Sequence, residues 1–172
     1  MRISFNKIIK HPDVFETEVV RLDKKEALII CSLRQNAREK LTNMSRRIHM
    51  PVSTLYERIK VQQQKIIQRF TALLDFTKLG YECRANVCIK VKKEVRDEVK
   101  EYLLKHQSVN SLYKINNGFD FLLETVFKNI KELEDFSEEL EERFSIKHKQ
   151  VHYIIEDIKR EGFMTQSEFF DF

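Results

Sequence analysis

An α+β fold in two parts is what this sequence predicts: a helical front third, then elements in the order strand, helix, strand, strand, helix, strand. Three observations carry the prediction. Between Asn36 and Ile67 two short amphipathic helical patterns meet at the break Ile48-His49-Met50-Pro51, the layout of a helix-turn-helix. After Phe70 the hydrophobic period shortens from three and four residues to two. Asn116-Asn117-Gly118 then stands between two apolar runs, the strongest short-range sign of a β-hairpin.

Composition narrows the class. Hydrophobic content of 42% with 34% charged residues excludes a disordered chain. Only 3 Gly and 2 Pro leave little room for irregular loops, and 13 Phe with no Trp predict an aromatic core. No apolar run approaches the roughly 20 residues that cross a bilayer, and the N-terminus lacks a signal-peptide layout, so a cytoplasmic protein is expected. Cys31, Cys83 and Cys88 are odd in number and form no CxxC pair, which reads as buried free thiols. His148 and His152 are four apart, but in a segment that reads as strand, where that spacing does not gather two imidazoles. No metal site and no cofactor are expected.

Each element has its own signature. Residues 1–21 are an N-terminal extension whose Ile3, Phe5, Ile8, Ile9, Val14 and Phe15 predict packing, with a turn at Pro12-Asp13. Residues 22–69 are read as the helix-turn-helix domain. Its first helix opens at Leu22-Asp23, with Asp23 as N-cap and Glu26 at capping-box spacing. Ala27, Ile30, Cys31 and Leu33 or Arg34 give its buried stripe. The second helix runs from about Lys40 to His49 with Leu41, Met44 and Ile48 inward. The third begins at Pro51, whose missing N–H falls where helix amides have no partner anyway. Val52, Leu55 and Ile59 are its expected buried positions.

Residues 70–81 are read as a linking strand, with Phe70, Ala72 and Leu74 alternating before a turn at Leu79-Gly80-Tyr81. Residues 82–163 make an αβ-sandwich domain. Its first strand, Glu82 to Val91, puts Ala85, Val87, Ile89 and Val91 on one face. A helix from Lys93 to Leu104 follows, with Val95, Val99, Tyr102 and Leu103 inward. Strands Val109–Ile115 and Phe119–Val126 flank the Asn-Gly turn. An acidic helix from Asn129 to Phe144 carries Ile130, Leu133, Phe136, Leu140 and Phe144, and a strand from Ile146 to Ile155 closes the domain. This is the ferredoxin-like order, with both helices on one face of a four-stranded sheet. Phe119, Phe121 and Leu123 alternate with Leu122 and Val126, so both sheet faces are apolar, and sheet-to-sheet homodimerisation is expected. Residues 164–172 form a tail ending in the acidic, aromatic SEFFDF.

Charge assigns the front part a partner. From Met1 to Arg69 there are 15 Lys+Arg against 7 Asp+Glu, a net of +8, while Phe70 to Phe172 holds 16 against 20, a net of −4. A basic helix-turn-helix beside an acidic back half predicts double-stranded DNA as the partner. Arg38, Arg46, Arg47 and Lys60 are the expected phosphate contacts, within a basic surface that also holds Arg34, Lys40 and Lys65. Ser53, Thr54, Tyr56 and Arg58 face outward near the start of the third helix and are the expected base readers. Arg58 has a second reading, as the ion-pair partner of a nearby acid.

The residues then match a family. Leu22-Asp23, Asn36-Ala37-Arg38, Ser53-Thr54-Leu55 with Arg58-Ile59, Lys78-Leu79-Gly80, and Gly118-Phe119-Asp120 followed by FLLETVFKN stand in an order that resembles the Lrp/AsnC, or feast/famine, transcription regulators of bacteria and archaea. The resemblance spans Leu22 to about Phe163. It implies a helix-turn-helix, winged-helix-like domain tied by a strand to an effector domain, and dimers that often assemble further. It also implies a small effector, commonly an amino acid, at the turn that here holds Asn117, Gly118 and Asp120. Gly118 reads equally well as the plain hairpin glycine, and the Asp120 carboxylate suits an effector's amino group. Three residues depart from the pattern: His49 replaces the glycine of the interhelical turn, Pro51 replaces a capping Ser, and Lys65 stands where a glycine often ends the reader helix.

Two other functions compete. A siroheme decarboxylase-like enzyme on a similar two-domain plan would use His106, His148, His152 and Arg84 around a tetrapyrrole, but would leave the basic half without purpose. A weakly specific architectural DNA-coating protein would gain from being basic throughout, which the acidic back half is not.

Overall fold

A computed structural model describes residues 19–166. The apolar front of the extension with its Pro12-Asp13 turn, and the SEFFDF ending, lie outside those residues. Among the described residues the chain forms two compact units, one of residues 19–71 together with 161–166, the other Ala72–Arg160. The chain therefore leaves the second unit at Arg160, a few residues before the expected boundary, and returns to the first.

The first unit is three helices, α1 (Lys24–Gln35), α2 (Leu41–Ile48) and α3 (Val52–Lys65). α1 starts with the full capping box: the Glu26 N–H donates to Asp23 Oδ1 at 2.8 Å and the Asp23 N–H to Glu26 Oε2 at 2.8 Å. α2 ends at His49, which adopts the left-handed conformation at φ 52° in place of a glycine. Pro51 caps α3 without a side-chain hydrogen bond. Ile29, Met44, Ile48, Met50, Leu55 and Ile59 close the core. Val52, expected inside, is 40% exposed, while Gln62 is buried in the stripe. A side chain in the first helical turn tilts toward the N-terminus, past the turns that pack, and Val52 has nothing to cover it.

The second unit is an antiparallel sheet of β1 (Cys83–Val91), β2 (Val109–Lys114), β3 (Phe121–Phe127) and β4 (Ile146–Tyr153), in the order β2-β3-β1-β4. With α4 (Arg96–Lys105) and α5 (Ile130–Arg143) it has the ferredoxin-like βαββαβ order. Val87 pairs with Leu123 on one side and Val151 on the other, which fixes the register of the central strand. Ala85, Val87, Ile89, Val91, Phe121, Leu123 and Phe127 point to the face covered by Val99, Leu103, Leu133, Phe136 and Leu140. Arg84, Asn86, Cys88 and Lys90, with Leu122, Glu124 and Val126, are half-buried on the face without helices. Ile130, expected inside, is 59% exposed for the reason given for Val52: it too is the first residue of its helix.

The linking segment corrects a further expectation. Residues 67–75 form no strand; a single 3₁₀ turn, Thr77–Leu79, closes on Gly80 at φ 83°. Phe70, Ala72 and Leu74 do alternate, but alternation supplies only one half of a ladder, and no described strand of this chain runs beside them. All three cysteines are free thiols, two buried and Cys88 half-buried, and burial pushes each thiol above its ordinary pKa. No helix is long and apolar enough to cross a membrane among the described residues.

Candidate DNA-reading surface and effector turn

α3 presents Ser53, Thr54, Tyr56, Glu57 and Lys60 to solvent, with Tyr56 54% exposed. Leu55, Ile59 and Gln62 hold the opposite side of the helix against α1 and α2, so the outward residues are aimed by packing rather than by contacts of their own. Arg46 is exposed on α2, and Arg38 is exposed in the loop before it, its N–H donating to Asn36 Oδ1 at 3.0 Å. Arg47 is tethered: its Nη2 donates to Glu39 Oε2 at 2.6 Å and to Ser32 Oγ at 2.8 Å.

Arg58 is half-buried and paired within the unit. Its Nη1 donates to Asp23 Oδ2 at 2.6 Å, so the carboxylate that caps α1 also receives the guanidinium of α3. Gln62 Nε2 donates to Glu26 Oε1 at 3.0 Å, joining the other half of the capping box to the same helix. These two bonds fix the angle of α3 against α1. The hydrogen bond from Arg58, followed by that from the Glu26 N–H, holds the Asp23 carboxyl below its ordinary pKa. Sequence spacing could not choose between the two readings of Arg58, because Asp23 lies 35 residues away.

At the turn, Asn117 and Gly118 take left-handed conformations at φ 57° and 93°, as a two-residue hairpin turn requires, and both are exposed. Asp120, expected to offer a free carboxylate to an effector, is instead buried. Its Oδ2 accepts the Val91 N–H at 3.0 Å, and Oδ1 lies 2.7 Å from Arg96 Nη2 and 3.4 Å from Lys90 Nζ. Burial works against its ionisation, but the Val91 N–H, Arg96 and Lys90 together outweigh it and hold the carboxyl below its ordinary value. Asp120 therefore pins the hairpin to the end of β1 and the start of α4. Lys90 and Arg96, each 34% exposed at the side chain, are neighbours of Asp120 that sequence reasoning misses. Only the fold brings residues 24 and 30 positions apart to one carboxylate.

The residues that a tetrapyrrole would need are not gathered. His106 lies on the helix-covered side with its ring 4.6 Å from that of Phe136, and desolvation lowers its pKa, whereas His148 and His152 pair opposite Lys90 and Asn86 on β4. Arg84 is occupied by Asp157 at 2.6 Å and Glu124 at 3.3 Å. It borders a cavity of about 510 Å³ whose other walls include Leu73, Phe76, Ile154 and Arg160. Phe76 there faces two guanidinium groups, those of Arg84 and Arg160.

Comparison with known proteins identifies the relatives of both parts. A profile of the Lrp/AsnC ligand binding domain matches residues 84–163. The HTH-type transcriptional regulator FL11 of Pyrococcus horikoshii is 31% identical over 118 residues, 68% of this chain and 78% of that protein. An uncharacterized HTH-type transcriptional regulator of Pyrococcus furiosus is 24% identical over 145 residues, 84% of this chain and 96% of the other. Among solved structures, a transcriptional regulator of Neisseria meningitidis in complex with L-Met has a TM-score of 0.76 at 21% identity, covering 81% of this chain and 94% of that one. LrpC of B. subtilis has a TM-score of 0.72 at 22% identity, covering 81% and 99%.

Proposed function

The chain belongs to the Lrp/AsnC family of helix-turn-helix transcription regulators, and from that premise we propose that α3 reads a specific DNA site under control of an amino-acid-like effector bound at the Asn117-Gly118 turn. The observation that carries the DNA reading is the exposed first half of α3, where Ser53, Thr54 and Tyr56 have neither a buried environment nor a partner among the described residues. Arg38, Arg46 and Lys60 supply the phosphate contacts, with Arg47 joining them where Glu39 gives way. Arg58 acts from behind, by setting the angle of α3 through Asp23.

The effector reading rests on the exposed turn and on the charges beneath it. Lys90 and Arg96 are partly exposed and suit a carboxylate, while Asp120 keeps both in place. The L-Met carried by the Neisseria structure supports an amino acid as the class of effector. A homodimer through the helix-free sheet face, where Leu122, Val126 and Tyr113 lie uncovered by α4 and α5, would present two readers to two half-sites.

The test is fluorescence anisotropy with the duplex upstream of the protein's own gene and a scrambled duplex of equal length, each at two salt concentrations. A preference of about a thousandfold or more that survives the higher salt establishes specific reading. Equal binding of both duplexes that collapses with salt would replace it with an architectural role.

A further inference from the structure

Residues 161–166 return to the first unit, and α1 holds them there. Arg34, in the last turn of α1, spends its guanidinium on them: Nε donates to Phe163 O at 3.1 Å, and Nη2 donates to Glu161 O at 3.0 Å and Glu161 Oε2 at 2.9 Å. The next residue, Gln35, donates from Nε2 to Thr165 O at 2.6 Å. The segment is closed on itself by Thr165 Oγ1 donating to Gly162 O at 3.0 Å. Within it Glu161 and Met164 both take left-handed conformations, at φ 52° and 57°. Two non-glycine residues in that region within four positions cost energy and persist only where the surroundings hold them. Arg34 and Gln35 are the groups that do so.

From this clasp we infer that residues 161–166 are a strap that withholds Arg34 from the phosphate-binding surface, an inference that rests on the DNA-binding function proposed above. Arg34 is separated by only three residues from Arg38, and its side chain is 37% exposed even when clasped. The clasp answers its charge with Glu161 and fills its donors with two backbone carbonyls. With the strap released, Arg34 becomes a free cation on a surface that is already basic. The residue before the strap, Arg160, is anchored elsewhere: it lies 3.9 Å from Glu124 and over Phe76, in the second unit. Adjacent residues, Arg160 and Glu161, are thus held by groups of different units.

Each further phosphate that a protein cation neutralises steepens the dependence of log K on log[salt] by about 0.9, so an unmasked Arg34 makes binding fall roughly threefold further between 50 and 200 mM salt. The experiment compares a chain ending at Arg160 with one ending at Gln166, each with and without Arg34→Ala, on the duplex upstream of the protein's own gene. Removing 161–166 is expected to steepen the salt dependence by that amount, and Arg34→Ala to abolish the difference. An unchanged slope, or a steeper slope that persists without Arg34, overturns the masking. Limited proteolysis of the full chain tests the strap without DNA. Arg34→Ala is expected to speed chymotryptic cleavage after Phe163, and an unchanged rate there overturns the strap. If no variant binds any duplex, the proposed function and the masking fall together, while the cleavage result still decides the strap.

Discussion

Arg58 and Asp23 show how one side-chain pair does two jobs. Asp23 caps α1 and receives α3, so the N-terminus of the support helix and the orientation of the reader share a carboxylate. Both side chains are a third or more exposed, at 34% and 52%, which limits the pair to about 1 kcal/mol or less. Arg58→Ala is therefore expected to lose no more than about 1 kcal/mol in urea unfolding at pH 7. A carboxyl whose folded pKa is depressed contributes stability above its unfolded pKa and loses it as pH falls through the folded value. The variant and the wild type are accordingly expected to converge when the same titration is run below the ordinary aspartate range. DNA binding by this variant should weaken on the specific site far more than on a scrambled duplex, since a tilted reader loses its base contacts while the phosphate contacts of Arg38 and Arg46 remain. His49 makes the opposite prediction. Held left-handed and exposed at the end of α2, it is expected to give about 0.5–1 kcal/mol of added stability on His49→Gly, read from the urea midpoint.

At the scale of elements, sequence reading succeeds wherever a rule is local and fails wherever a partner is needed. The capping box at Asp23, the turn at Asn117-Gly118 and the alternation of Ala85, Val87, Ile89 and Val91 are each written within a few residues, and each stands as read. The stripes of α3 and α5 stop short of Val52 and Ile130 because helical periodicity says which side a residue takes, not whether a neighbour reaches the first turn. Phe70 to Leu74 carry the period of a strand without a second strand to complete it among the described residues. Asp120 is legible as special but not as buried, since Val91, Lys90 and Arg96 come to it only through the sheet. Its pinning of the hairpin yields a direct test: Asp120→Asn keeps an acceptor for the Val91 N–H but leaves Arg96 and Lys90 unanswered. A loss of about 1–3 kcal/mol at neutral pH is expected in urea unfolding, shrinking as pH falls through the depressed pKa of the wild-type carboxyl.

For the whole molecule, the sheet divides the labour. One face is sealed by α4 and α5 around Leu123, Leu133 and Leu103, and the other keeps Leu122 and Val126 half-buried beside charged Arg84 and Glu124. For the homodimer proposed through the helix-free face, Leu122→Lys is expected to give a monomer in sedimentation velocity, with the helix-side core untouched. A dimer that survives this change would place the interface elsewhere.

The return of residues 161–166 to α1 also bears on how the protein is made. Because the first unit contains both the beginning of the described chain and its end, the second unit is, in topology, an insertion within it. During synthesis the three helices emerge first, but Arg34 has no clasp until more than a hundred further residues have left the ribosome. The reader unit is thus present early and finished late, so the nascent protein reaches its final charge around Arg34 only after the whole effector unit has been translated.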